Sequence, residues 1–310
     1  MDLEEYEGYL KNLEGWLGNK SFRFDLTPFG EFMLHPKRVE IVKLIKAYLP
    51  KAYIMLHTNG EDKTINDIEV LMDAGLNQVI VDKYGKENKL FSEYCEHPEK
   101  DSYLYNSQTN SCKSLRDGKE NKINIYYKGN LKTKRVILID NYKDFTDSKS
   151  NKIRKLHDWL GYANSYNGAM DRVPKSNGIC LYPSRQLVIT KDGVVLGCCQ
   201  AIGNDVILGK YPEDGSLQEI WNGKFANLLR YTLRYGLFNS RRSFFSGCKR
   251  CSAVEGGYMP FTVSLKNPLQ EIPTRKILEE YINSEELKVK KYRDEKFFEM
   301  ENKMKRKEWW

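Results

Sequence analysis

The chain lacks any run of about 18 consecutive apolar residues, which excludes a membrane-spanning helix on sequence grounds. Its start, "MDLEEYEGYL", is acidic and has no apolar stretch, so it does not read as a secretory signal. Internal repeats and low-complexity segments are absent too, which excludes a solenoid and argues against a disordered linker protein. Histidine is scarce: His35, His57, His97 and His157 are scattered and none lies close in sequence to a cysteine pair, so no mixed Cys/His finger is expected. What remains is an ordinary globular composition, with 40% apolar and 12% aromatic residues in 310, enough for a sizeable core in one large domain or two smaller ones.

The net charge is +8, and much of it lies in the tail "KVKKYRDEKFFEMENKMKRKEWW". Acidic residues are interleaved throughout that tail, so it reads as a solvated helix face and nucleic acid is not the expected partner. Seven cysteines are an odd number for a chain that reads as cytoplasmic, where thiols stay reduced. Clustered cysteines there point to metal or cluster ligands before disulfides.

The first half alternates. Residues 2–17 place Leu3, Tyr6, Leu10, Leu13 and Trp16 at spacings of three and four, an amphipathic helix. A strand follows at 21–26, then a helix at 36–49 opening on a proline, where the missing N–H costs nothing. A strand at 51–60, a helix at 64–76 closed by Gly75, and a strand at 78–82 continue the pattern. Helices of this length between short strands predict βα units on a mostly parallel sheet. Residues 83–125 are polar and show no clear period; 135–140 ("RVILID") reads as a further strand, and "SKSNKIRKLHDWLGYANSYNG" as a helix and a loop. A change of character near residue 170 suggests domains at 1–170 and 171–260, with a helical basic tail at 261–310.

The second domain opens on "GICLYPSRQLVITKDGVVLGCCQ". Two β-rich runs flank Asp-Gly, a strong hairpin signal, so Cys198 at the far end is carried back towards Cys180. Twelve residues separate Cys180 from Gly193, and four separate Gly193 from Cys198. Further on, "GCKRCS" supplies Cys248 and Cys251 as a C-x2-C pair, a spacing that lets two thiolates from one turn meet a single metal centre. Cys199 falls on the opposite side of an extended strand and reads as a packed thiol; Cys95 and Cys112 stand alone and read as ordinary thiols. The residues themselves leave three readings of Cys180, Cys198, Cys248 and Cys251: buried thiols, a structural zinc site, or an iron–sulfur cluster.

The C-x12-G-x4-C hairpin followed by C-x2-C resembles the SPASM/Twitch auxiliary-cluster domain of radical S-adenosylmethionine (radical SAM) enzymes, over about 178–255. Between the two halves, "GNDVILGKYPEDGSLQEIWNGKFANLLR" is similar to that family's run of a turn and a helix before the last cysteines. The resemblance implies one auxiliary [4Fe–4S] cluster on Cys180, Cys198, Cys248 and Cys251, in the single-cluster Twitch form. In the first half, "TPFGEFMLHPKRVEIVKLIK" resembles the family's "GGEPLLHP" segment and "IMLHTNG" its third strand and turn. Gly30 and Glu31 are thereby implied beside the methionine part of the cofactor, the carboxylate receiving its ammonium, whereas Thr58 and Asn59 are expected to shape the turn. A carboxylate at the mouth of a parallel sheet is chemically apt, since ligands bind there in open α/β folds.

One departure matters. The family's C-x3-C-x2-C, which holds the cofactor-cleaving cluster, is absent from this sequence, and the resemblance places it ahead of the first helix. The implied fold is therefore a partial (β/α) barrel whose first strand lies outside the chain, followed by the four-cysteine module. The implied function of a complete protein is radical-mediated modification of a small-molecule or peptide substrate, through a 5′-deoxyadenosyl radical and with an electron donor as partner; S-adenosylmethionine is expected only with the absent motif. A non-catalytic accessory protein stapled by the cluster or by zinc is the alternative, and a zinc-stapled RNA-binding protein a third. Two arginines in "RRSFF" stand beside the last cysteine pair, where positive charge would raise a cluster's potential or contact an acidic partner, and a plain surface role is equally open.

Overall fold

The structure is a computed structural model; it describes residues 2–26, 30–84, 87–106, 109, 111–121, 131–132, 134–140, 182–199, 207–223, 225–227 and 229–230. The chain divides into two compact units, Met1–Arg154 and Lys155–Trp310. The boundary expected near 170, the helix expected over 148–168 and the tail 261–310 lie outside the described residues.

The first unit opens with α1 (Leu3–Leu17), started by a reciprocal cap in which Asp2 accepts the Glu5 N–H and Glu5 accepts the Asp2 N–H. Its spacing-three-and-four stripe buries Leu10 and Leu13. Then come β1 (Phe22–Asp25), α2 (Arg38–Tyr48), β2 (Ala52–Thr58), α3 (Ile65–Ala74), β3 (Gln78–Lys83) and α4 (Lys89–Glu96). Three short strands follow, β4 (Ser102–Asn106), β5 (Ser111–Ser114) and β6 (Glu120–Asn121), and then β7 (Arg135–Asp140). The expected helix at 36–49 begins two residues later than its proline. Pro36 lies in a turn closed by the Arg38 N–H on the His35 carbonyl, and the His35 ring accepts the Lys37 N–H.

The sheet has seven strands in the order β1-β2-β3-β7-β4-β5-β6. Neighbours from β1 through β7 to β4 run parallel, and β4-β5-β6 form an antiparallel meander at one edge. The fold is thus mixed α/β with a mostly parallel sheet, and the described residues form no closed barrel. The helices cover one face: Leu90 of α4 lies against Val81, and the Lys83 ammonium sits 5.2 Å from the centre of the Phe91 ring. On the other face Tyr53, Met55, Ile80, Cys112, Ile137 and Ile139 form an apolar cluster with Tyr103 and Tyr105 packed on it. Burial in this cluster pushes the Cys112 thiol up to about 11, as befits an inert thiol.

The second unit contains a three-stranded antiparallel sheet, β8 (Val188–Ile189), β9 (Val194–Leu196) and β10 (Ile207–Lys210), in the order β10-β9-β8. Helix α5 (Leu217–Asn222) follows, started by a reciprocal Ser216/Glu219 cap and burying Leu217 and Ile220. No helix among the described residues is long and apolar enough to cross a membrane.

Candidate functional site

The hairpin expected from "KDG" is present. Thr190 and Val194 bond across its mouth, the Thr190 hydroxyl accepts the Val194 N–H, and Gly193 turns the chain at φ 78°, a left-handed conformation that favours glycine. Past the end of β9 the backbone bends, so pleat alternation does not carry through to the adjacent cysteines. Cys198 is buried, with 7% of its surface exposed, and Cys199 is half-buried. Gly197 sits where any Cβ would lie 2.8 Å from a methyl of Leu229 and 3.3 Å from one of Leu208. The absence of a side chain at 197 lets Leu229 close on the segment that delivers Cys198. The other three predicted ligands, Cys180, Cys248 and Cys251, lie outside the described residues, as do the two arginines of "RRSFF". Among the described residues, no three His, Cys, Asp or Glu side chains gather as a metal site.

Arg230 was not singled out by sequence, yet it is the most unusual group in this unit. It is 8% exposed. Its Nε–H donates to the Pro183 carbonyl at 2.9 Å and its Nη1–H to Asn227 Oδ1 at 3.1 Å, and the guanidinium lies 3.9 Å from the centre of the Trp221 ring. Among the described residues, buried Nη2 has no acceptor. Burial pulls the guanidinium down to about 10, so it stays charged at neutral pH. Stacking on an aromatic ring is worth up to about 2 kcal/mol, less than the cost of burying an unpaired cation, which is several-fold larger. Gln186 Nε2, three residues beyond Pro183, is likewise a buried donor without an acceptor.

In the first unit the C-terminal ends of β1, β2 and β3 carry the polar groups. Gly30, at φ 98° with open space around its missing side chain, leads into Glu31. Glu31 Oε1 accepts the Met33 N–H at 3.0 Å, capping the short 3-10 turn Phe32–Leu34, and Oε2 accepts the Asn59 N–H at 3.1 Å. The carboxylate thus joins the loop after β1 to the turn after β2, and each oxygen keeps a further lone pair. The turn itself is held locally, as expected: the Thr58 hydroxyl accepts the Gly60 N–H and Asn59 Oδ1 accepts the Glu61 N–H.

Two more groups at this edge escaped sequence reading. His57 Nδ1 lies 3.4 Å from Asp82 Oδ2, joining β2 to β3 on the face opposite the helices. Asp25, at the end of β1, faces the same way beside Arg23 at 3.5 Å, and its Oδ1 is buried without a donor. The available signal was a charged or titratable residue breaking each apolar run near its C-terminal end, in "FRFD", "IMLHT" and "VIVDK".

Residues 180–252 match the family model of SPASM, an iron–sulfur cluster-binding domain. The fold is similar to that of BtrN. A crystal structure of BtrN in complex with AdoMet and 2-DOIA is 18% identical in sequence, with 82% of each chain covered and a TM-score of 0.56. Selenomethionine BtrN in an open conformation gives 19% identity, 82% of each chain and a TM-score of 0.50. No curated protein matches the chain. The chain therefore carries a SPASM iron–sulfur domain together with a BtrN-like α/β fold: the resemblance read from its sequence is matched by a family model over residues 180–252 and, for the α/β part, by the fold.

Proposed function

We propose that the chain binds one auxiliary [4Fe–4S] cluster through Cys180, Cys198, Cys248 and Cys251, in the single-cluster Twitch arrangement, and that its α/β unit, in a system that supplies the C-x3-C-x2-C motif, receives AdoMet at the edge formed by Gly30 and Glu31. The observation that carries this reading is the SPASM match, whose span contains all four cysteines, together with the burial of Cys198 at the close of its hairpin. The donor set suits the group: four thiolates cap a cubane fully. Two buried donors without acceptors, on Arg230 and Gln186, suit an anionic, acceptor-rich neighbour better than a bare apolar core.

Bound there, the cluster supplies one-electron transfer, or a structural staple, at a potential set by its charge and hydrogen bonds. The chain's own residues do the rest. Glu31 holds two loops in register and keeps lone pairs for the cofactor's ammonium. His57, whose Nδ1 faces Asp82 Oδ2 at 3.4 Å, stands at the C-terminal edge of the parallel sheet, where ligands bind in open α/β folds, and would serve there as an acid–base group. The BtrN complex with AdoMet and 2-DOIA supports a small-molecule substrate ahead of a peptide. With these roles, a complete system performs radical-mediated modification, with a one-electron donor as its partner in the cytoplasm.

A second reading is a cluster-bearing accessory protein that does not itself cleave AdoMet. Anaerobic purification with iron and sulfide quantitation tests the shared premise, with about four of each expected per chain and loss in Cys198→Ala. Colourless protein holding one zinc would retire it. Formation of 5′-deoxyadenosine from AdoMet under reductant by the natively expressed protein, isolated with whatever supplies C-x3-C-x2-C, then separates the two readings, since the accessory protein forms none.

A further inference from the structure

Arg230 is a buried cation that the described structure leaves short of an anion. Among the described residues no carboxylate lies within ion-pair distance of it, and of its terminal nitrogens Nη2 donates to nothing. The contacts it does make define its place. Nε–H holds the Pro183 carbonyl in the short turn Tyr182–Ser184, which begins two residues after Cys180. The preceding residue, Leu229, packs on Gly197, the neighbour of Cys198. The Arg230 side chain is therefore tied to the segment that follows Cys180, while its chain neighbour Leu229 packs on the segment that leads into Cys198, within one compact unit. Trp221 closes one face of the guanidinium and fixes its plane. Gln186, on the same turn segment, adds a second buried donor without an acceptor.

An unpaired cation persists in a protein interior when an anion offsets its desolvation. A cubane with four thiolate ligands carries net negative charge and presents sulfur acceptors on every side. We propose that Arg230 is a positioning and tuning residue for the auxiliary cluster: its guanidinium, anchored by Pro183 and Asn227, offers the Nη2 N–H and its positive charge to the cluster's sulfur atoms and so raises the reduction potential. Positive charge and N–H donors stabilise the reduced, more negative state, so their removal lowers the potential.

This rests on the cluster reading, and the test separates the two. Arg230→Met and Arg230→Lys are purified anaerobically beside the parent protein, iron and sulfide are counted, and the midpoint potential is read by EPR-monitored redox titration. At equal iron load, R230M is expected at a lower midpoint, with R230K between it and the parent, because lysine keeps the charge and loses the planar fork. An unchanged midpoint in fully loaded R230M overturns the inference and leaves Arg230 a packing residue. Absence of iron from the parent protein overturns the cluster reading instead. Should R230M fail to accumulate, the parent protein labelled with 15N-arginine decides: a nitrogen coupling to the reduced cluster that weakens in R230K upholds the role, and no coupling refutes it.

Discussion

Glu31 does more than a loop acid does. One carboxylate caps the turn at Met33 and reaches 28 positions along the chain to the Asn59 N–H, so two loops at the sheet edge share one anion. Glutamine has a single carbonyl oxygen and cannot accept both bonds in the same geometry. Glu31→Gln is therefore expected to cost about 1–2 kcal/mol of stability, from an orphaned backbone N–H and a weakened charge-assisted bond. Thermal unfolding measures that loss. Titration calorimetry with AdoMet measures the other role: if Glu31 also receives the ammonium, affinity falls by more than the stability change alone explains, and an unchanged affinity leaves it a loop tie. The sequence pointed to Glu31 only through resemblance. Its link to Asn59 depends on two parallel strands lying side by side, which no local pattern encodes. The same limit hid His57 and Asp82, which are 25 positions apart and meet only through strand register.

At the scale of single elements, α3 shows how local chemistry fixes both ends of a helix. Asp67 accepts from the Thr64 N–H at 3.1 Å, the Thr64 hydroxyl at 2.9 Å and Arg38 at 3.0 Å. Burial opposes ionisation most strongly, yet the Thr64 bonds and the Arg38 charge together outweigh it and hold the carboxyl below its usual range. A depressed folded-state pKa contributes stability above the unfolded carboxyl value, near 3.9, and that contribution is lost as pH falls through the folded value. Asp67→Asn is accordingly expected to lose about 0.5–2 kcal/mol at neutral pH, the usual worth of such a cap, with the gap to the parent closing below about pH 4. Denaturant midpoints at several pH values check this. At the other end, Gly75 adopts φ 119°, and a Cβ there would meet Lys46 Cγ at 2.6 Å. Lys46 cannot easily yield, because its ammonium is held by the Ala52 carbonyl and Asn77. Gly75→Ala is expected to cost at least about 1–2 kcal/mol, read in the same titrations. These ends were legible because capping and termination are written in adjacent residues; β7 was legible because it is a continuous apolar run. The strands β4, β5 and β6 were not, being short, polar and defined by pairing at a sheet edge. Nor did sequence order reveal that β7 inserts between β3 and β4.

For the molecule as a whole, the two units differ in what holds them. The first has a seven-stranded sheet with apolar residues buried on both faces. The described part of the second has strands of two, three and four residues and a helix of six. Its described core is little more than Val188, Val195, Leu196, Leu217, Ile220, Ala226 and Leu229. The described elements of this unit are short on their own, and modules built of such elements are ordinarily stapled by a metal or cluster. With the proposed cluster in place, its removal by chelation under oxidising conditions, or replacement of Cys198 with alanine, is therefore expected to unfold the second unit selectively. Hydrogen exchange read by mass spectrometry should show the amides of Val194–Leu196 and Leu217–Asn222 losing protection, while those of Ala52–Thr58 and Gln78–Lys83 keep theirs. Protection that persists at 194–196 after complete iron loss would mean the module folds without a staple and would overturn a structural role for the proposed cluster.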